Sequence, residues 1–186
     1  GLGDVYKRQV QWPECRMKYL KIQRQLFRST ERELSKTEYV RLLETAQSLG
    51  KTRLALLMET ICATGIRVSE VKYITVEAVQ AGRAEIALKG KIRTILIPGK
   101  LCRKLQKYAK KQKTVFGEIF LTRNGKGVSR RQIWAEMKGL CQKAGVAPSK
   151  VFPHNLRHLF ARTFYRACRD VVQLADVLGH SSIETT

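Results

Sequence analysis

Two arginines and two histidines fall in three short strings whose residue types suit chemistry at a phosphodiester. Thr64-Gly65-Ile66-Arg67-Val68-Ser69-Glu70 projects Arg67 from a junction just past a helix stop. His154-Asn155-Leu156-Arg157-His158 sets His154 and Arg157 three apart, on one face of a helix that Pro153 is suited to open. Leu178-Gly179-His180-Ser181-Ser182 puts His180 behind a glycine at a helix end, where a left-handed residue presents the next side chain at a fixed angle. Guanidinium forks match nonbridging phosphate oxygens two at a time, which an ammonium group cannot do. Imidazoles beside them supply proton exchange.

Each group also has a plainer reading. Arg67 alone is a solvated arginine with Glu70, three residues on, as its salt-bridge partner. His154 and Arg157 alone are a histidine near a helix N-terminus and an arginine on the wet face. His180 alone is a histidine facing a helix dipole. A metal reading exists too, because His154 and His158 stand four apart as in metalloprotease helices. That motif needs glutamate directly after the first histidine, and Asn155 stands there with no carboxylate ligand nearby. Phosphate chemistry fits the set better, with no metal and no cofactor.

The charge points the same way. The 186 residues hold 36 Lys plus Arg against 15 Asp plus Glu, a formal charge of +21. Self-repulsion of that size favours a polyanionic partner, and nucleic acid leads. An anionic membrane is the weaker reading: no apolar run approaches the roughly 18 residues of a spanning helix, and no signal-peptide pattern opens the sequence. From Lys89 to Lys113 there are ten basic residues and no acid. Lys100, Arg103, Lys104, Lys107, Lys110 and Lys111 share a helical face opposite Leu101, Leu105 and Tyr108. With Lys91 and Arg93 upstream, this stretch is expected to track phosphates along a duplex, positioning the protein while reading few bases. The five cysteines are widely spaced and include no C-x-x-C pair, which excludes a disulfide framework or zinc ribbon and fits a reducing cytoplasm.

The elements that must position these groups are mostly helices. Ser35-Lys36-Thr37-Glu38 is a capping box, and Tyr39, Leu42, Leu43 and Ala46 follow at helical spacing. Leu54, Leu57, Met58, Ile61 and Cys62 repeat the pattern up to Thr64-Gly65. Residues 84–88 and 92–97 flank Lys89-Gly90-Lys91 as a hairpin. Pro98-Gly99 opens a helix to about Gln112. Residues 116–121 read as a short strand, followed by a turn at Asn124-Gly125. One long helix is expected from about Ile133 to Gly145, another through Leu156–Ala167, and a third over Val171–Leu178. The fold class is mainly α with a small antiparallel β-sheet. Residues 1–34 stand apart as an extension and basic linker, carrying Arg16, Lys18, Lys21, Arg24, Arg28 and Arg32 with few acids; residues 35–186 form the domain.

Together the strings Thr-Gly-Ile-Arg-Val-Ser-Glu-Val, His-Asn-Leu-Arg-His and Leu-Gly-His-Ser-Ser resemble the three motifs of the tyrosine recombinase (phage integrase) family, from about Ser35 onward. The resemblance implies the catalytic-domain fold of these DNA breaking-rejoining enzymes. It makes Arg67, His154, Arg157 and His180 phosphate-contacting residues, Glu70 and His158 structural ones. A hairpin lysine is the implied general acid; Lys89 is preferred to Lys91, because the turn is one residue shorter than the commoner Gly-Lys-Gly-x-Lys form. The implied activity is site-specific recombination, integrating or excising a mobile element through a 3′-phosphotyrosyl intermediate, by a cytoplasmic, nucleoid-associated homotetramer on paired sites. The basic linker would join an upstream DNA-clamping domain. The nucleophilic tyrosine is expected about nine residues after His180, past Thr186, so that the chain as given does not cleave. Tyr165 lies too far from His154 to replace it, about 16 Å along the helix axis at 1.5 Å per residue. Two other readings stay open: a non-cleaving DNA-binding protein on the same fold, and a type IB topoisomerase.

Overall fold

A computed structural model describes residues 32–88 and 91–179. Residues from Leu34 onward belong to one compact unit. Lys89, Gly90 and His180 lie outside the described residues, as does the basic linker before Arg32.

Helix α1 (Lys36–Ser48) opens with the expected capping box: Ser35 Oγ accepts from the Glu38 N–H, and the Glu38 carboxylate accepts from the Ser35 N–H. Leu42 and Ala46 are its fully buried positions. Helix α2 (Thr52–Thr64) is buried nearly all round and packs against α1 and the later α7. Its buried hydroxyls, Thr60 and Thr64, each donate to the carbonyl four residues back at 2.7 Å, so none is left unpaired. A 3-10 helix (Val68–Tyr73) and a short helix α3 (Val76–Ala81) follow; neither carried enough periodicity to be expected. Strands β1 (Arg83–Leu88) and β2 (Lys91–Leu96) pair antiparallel, with Ile86 opposite Arg93 and Leu88 opposite Lys91. Ala84, Ile86 and Ile95 fill the core face of this hairpin.

Helix α4 (Gly99–Lys111) buries Leu101, Cys102, Leu105, Tyr108 and Ala109. Lys100, Arg103, Lys104, Lys107, Lys110 and Lys111 are exposed, as their spacing requires. Residues 116–121 do not form the expected strand. Only isolated bridges occur there, Thr75 with Glu118 and Leu121 with Gly127, because Phe120 and Ile119 are spent on the core rather than on a neighbouring strand. The expected long helix is broken in two, α5 (Arg130–Lys138) and α6 (Cys141–Ala144). At Gly139-Leu140 the Leu140 N–H bonds to Met137, one residue tighter than a helix, where glycine's poor helix propensity gives least resistance. A second 3-10 turn (Pro148–Lys150) leads into α7 (Pro153–Cys168), and α8 (Val171–Leu178) ends the described chain at Gly179. Among the described residues, no helix is long and apolar enough to cross a membrane.

Candidate active site

Arg67 and Arg157 are brought together from elements ninety residues apart in sequence, and a third guanidinium, Arg93, joins them. Glu70, 1% exposed, is the common partner of Arg67 and Arg93. Glu70 Oε1 accepts from Arg67 Nη1 at 2.9 Å. Its Oε2 accepts from Arg93 Nη2 and from the Arg67 backbone N–H, both at 2.7 Å. The Thr64–Glu70 string builds this locally. Gly65 ends α2 at φ +66, Ile66 is buried, Arg67 stands in extended geometry at the cap, and Glu70 at the third position of the 3-10 helix reaches back. Glu70 is thus the structural carboxylate that the resemblance implied, holding two arginines rather than one.

Arg157 lies on the buried side of α7, 7% exposed. It donates Nη1 to the Gly65 carbonyl and Nη2 to the Leu178 carbonyl at 2.6 Å. Arg67 Nη2 reaches the Gly179 carbonyl at 3.2 Å, and Arg93 Nη1 the Val177 carbonyl at 3.3 Å. The three guanidiniums therefore share the carbonyl-rich C-terminus of α8, whose partial negative charge suits them, and two of them share one carboxylate. The compensation is incomplete. Burial, reinforced by Arg67 and Arg93 and opposed by Glu70, pushes the Arg157 pKa down to about 10.

His154 sits at the second position of α7 with an exposed ring. Desolvation, together with the positive charge of Arg157, holds its pKa below the usual imidazole range. Its Nε2 lies 2.8 Å from Nε2 of His158, with the rings edge-on. Asn155, the residue that spoils the metalloprotease motif, has a fold role instead: its side-chain amide donates to the Lys150 carbonyl at 2.8 Å and ties the start of α7 to the preceding turn.

Arg93 departs from its sequence-based grouping with the exposed basic stretch. Its side chain is 14% exposed and turned onto Glu70, because residue 93 of β2 faces the 3-10 helix rather than solvent. Lys100, Arg103, Lys104 and Lys107 stay on the outer face of α4, and Lys104 pairs with Glu59 at 2.6 Å. Lys91 is placed only through its backbone pairing. The sequence reading passed over Arg130, Arg131 and Trp134, which line an open groove with Val68, Pro153 and His154. The Ser129 capping box that starts α5 was the available signal.

Residues 32–186 match the phage integrase family. The chain belongs to that family. Tyrosine recombinase XerD of Brucella suis is 33% identical over 152 residues, covering 77% of this chain and 49% of the relative. Tyrosine recombinase XerA of Pyrococcus furiosus is 29% identical over 162 residues, covering 83% and 55%. The chain thus spans about half the length of the curated relatives it matches. Among solved structures, a XerA recombinase superposes with a TM-score of 0.71 at 26% identity, over 82% of this chain and 56% of that one. The catalytic domain of bacteriophage HP1 integrase superposes at 0.55 and 22% identity, over 82% and 83%, and shares the fold. In this family member Arg67 and Arg93 are hydrogen-bonded to one buried glutamate.

Gly65 is a point where the site and the core meet. A Cβ there would fall on the Phe160 ring, 2.6 Å from Cε1, on a backbone already at positive φ. Gly65→Ala is expected to cost about 2–4 kcal/mol, from left-handed strain plus overpacking, read as a shift of the urea midpoint.

Proposed function

We propose that this is the catalytic domain of a site-specific tyrosine recombinase that breaks and rejoins duplex DNA, as implied for a mobile-element integrase. The observation that carries the reading is the under-compensated arginine cluster. Two guanidiniums bond one carboxylate, and the third, the buried Arg157 held by neutral carbonyls, has its protonation opposed by the other two. An anionic phosphate seated beside them supplies the missing charge, and it does so most where a pentacoordinate phosphorane carries extra negative charge. XerH has been solved bound to its difH substrate, before and after cleavage.

In this reading a tyrosine oxygen attacks phosphorus while the bond from phosphorus to the 5′ oxygen breaks. The tyrosine proton leaves to a nearby base, and Lys89 protonates the departing 5′ oxygen. A partner strand's 5′ hydroxyl later reverses the exchange, so bond energy is conserved. Arg67 and Arg157 bind the nonbridging oxygens; His154 and His180 position them and exchange protons. The exposed face of α4, with Lys100, Arg103 and Lys107, contacts the phosphate backbone, and Arg130 and Arg131 border the groove beside His154. Pairing of two sites by a tetramer belongs to this proposal as well.

The test extends the chain to include a tyrosine about nine residues after His180 and scores a covalent protein–DNA adduct on denaturing gels. The extended chain is expected to form it; the chain ending at Thr186 is expected to bind duplex DNA with an affinity that falls steeply with salt, and to form none. Binding without any adduct from the extended chain supports a non-cleaving DNA-binding protein instead. An adduct from the shorter chain places the nucleophile on an internal tyrosine and overturns the site.

A further inference from the structure

Arg93 stands where three elements that each lead to a candidate catalytic group converge. It is rooted in β2, four residues from Lys89 along the hairpin. Through Nη2 it holds Oε2 of Glu70, the oxygen that also receives the Arg67 backbone N–H. Through Nη1 it holds the Val177 carbonyl in the last turn of α8. Its aliphatic stem also packs against Gly179: a Cβ at that position would lie 2.9 Å from Arg93 Cδ. Gly179 is therefore required twice, by its φ of +62 and by the arginine that fills the space beside it. His180 follows directly.

The side chain is poorly placed to meet a phosphate. It is mostly covered, and its charge is met by the Glu70 carboxylate at 2.7 Å, whereas the Gly65 and Leu178 carbonyls that hold Arg157 are neutral. Its position also carries a cost that a surface DNA contact would not: burial and the nearby Arg67 charge lower its pKa, against the pull of Glu70. A lysine could replace the charge. It could not reach Glu70 and the α8 carbonyl together, because that span uses two donors held in one plane.

Resting on the strand-cleavage reading above, we infer that Arg93 is a positioning residue that locks strand β2 and the end of α8 at Gly179 onto the Arg67–Glu70 pair. It acts through Glu70, β2 and α8 rather than on the phosphate. Loss of the lock frees the hairpin to drift, and displacement of about 1 Å at a catalytic group costs on the order of 10²-fold in rate.

The experiment uses the full-length gene product and single-turnover cleavage at saturating DNA. Two substrates are compared, one with the ordinary 5′ oxygen and one with a 5′-phosphorothiolate, whose sulfur leaves without a proton. Arg93→Met is expected to cleave the oxygen substrate about 10²-fold slower, with DNA affinity and its salt slope as in the unaltered protein. The sulfur substrate is expected to recover most of that loss, since the misplaced group is the proton donor. Arg93→Lys, which keeps a cation beside Glu70 and guards against a misfolded Met variant, is expected to show the same pattern at about tenfold. A salt slope lowered by about one with saturated cleavage unchanged would make Arg93 a phosphate contact and overturn the inference. Equal losses on both substrates would also overturn it, as general damage to the fold. Failure of the unaltered protein to cleave either substrate sinks the strand-cleavage reading itself, and this inference with it; normal cleavage there beside an unaffected Arg93→Met sinks only the inference.

Discussion

Arg157→Ala, placed in a chain that carries the tyrosine, is expected to bind duplex DNA within about threefold of the unaltered chain while forming 10²–10³-fold less covalent adduct, roughly the loss seen when one preorganised charge donor is removed from a transition state. Binding is expected to survive because affinity for a duplex is spread over many phosphate contacts, which in the proposed reading include the exposed basic face of α4. Chemistry does not survive, because Arg157 is fixed by the Gly65 and Leu178 carbonyls and needs no reorganisation when charge develops.

The same two carbonyls make Arg157→Lys informative. An ammonium cannot bridge them and still face a phosphate, so the lysine variant is expected to lose nearly as much adduct as the alanine one. Stability should fall less than the burial of Arg157 suggests. Two carbonyls lose a donor, at about 1–3 kcal/mol each if left unsatisfied, but repulsion by Arg67 and Arg93 is relieved at once. Denaturing gels give the adduct and anisotropy titration gives the affinity. Adduct formation at the unaltered rate in Arg157→Ala removes this residue from the phosphate site.

How much of this was legible in the sequence depends on the range of the interaction. Local devices were. The Ser35–Glu38 capping box, the α4 stripe and the glycine stops at Gly65 and Gly179 depend on residues a few positions apart, and they form as their spacing dictates. Arg67 and Glu70 are three apart, so their pairing was readable, though its burial was not. Arg93 was misgrouped because it lies inside a run of ten basic residues, and a charge run conceals a member that strand alternation turns inward. Its partners lie 23 and 84 residues away, which no local pattern encodes. The break at Gly139 was missed for a related reason: Ile133, Met137, Leu140 and Cys141 keep a helical period across it, since all four still reach the core. The strand expected over 116–121 failed because an apolar run of that length does not say whether it pairs or simply plugs a core.

Glu70 is where stability and site geometry depend on the same atoms. Glu70→Ala is expected to lower the unfolding free energy by about 3 kcal/mol, the low end for breaking a buried ion pair by removing one partner. The low end applies because Arg67, at 40% side-chain exposure, can swing into solvent, whereas Arg93 and Arg157 cannot. Glu70→Gln keeps the volume and one acceptor oxygen, yet turns an amide N–H₂ toward a guanidinium, so a smaller but clear loss is expected. The mechanism behind the loss can be separated from simple cavity formation by a double-mutant cycle with Arg93→Met. If the charge of Arg93 is what Glu70 compensates, the double variant is expected to be more stable than the two single losses predict, by about 1–3 kcal/mol. Urea midpoints at unchanged m-value measure this. Additive losses would show that the 2.7 Å contact carries no coupling energy, and that Glu70 holds the site through the backbone and side chain of Arg67.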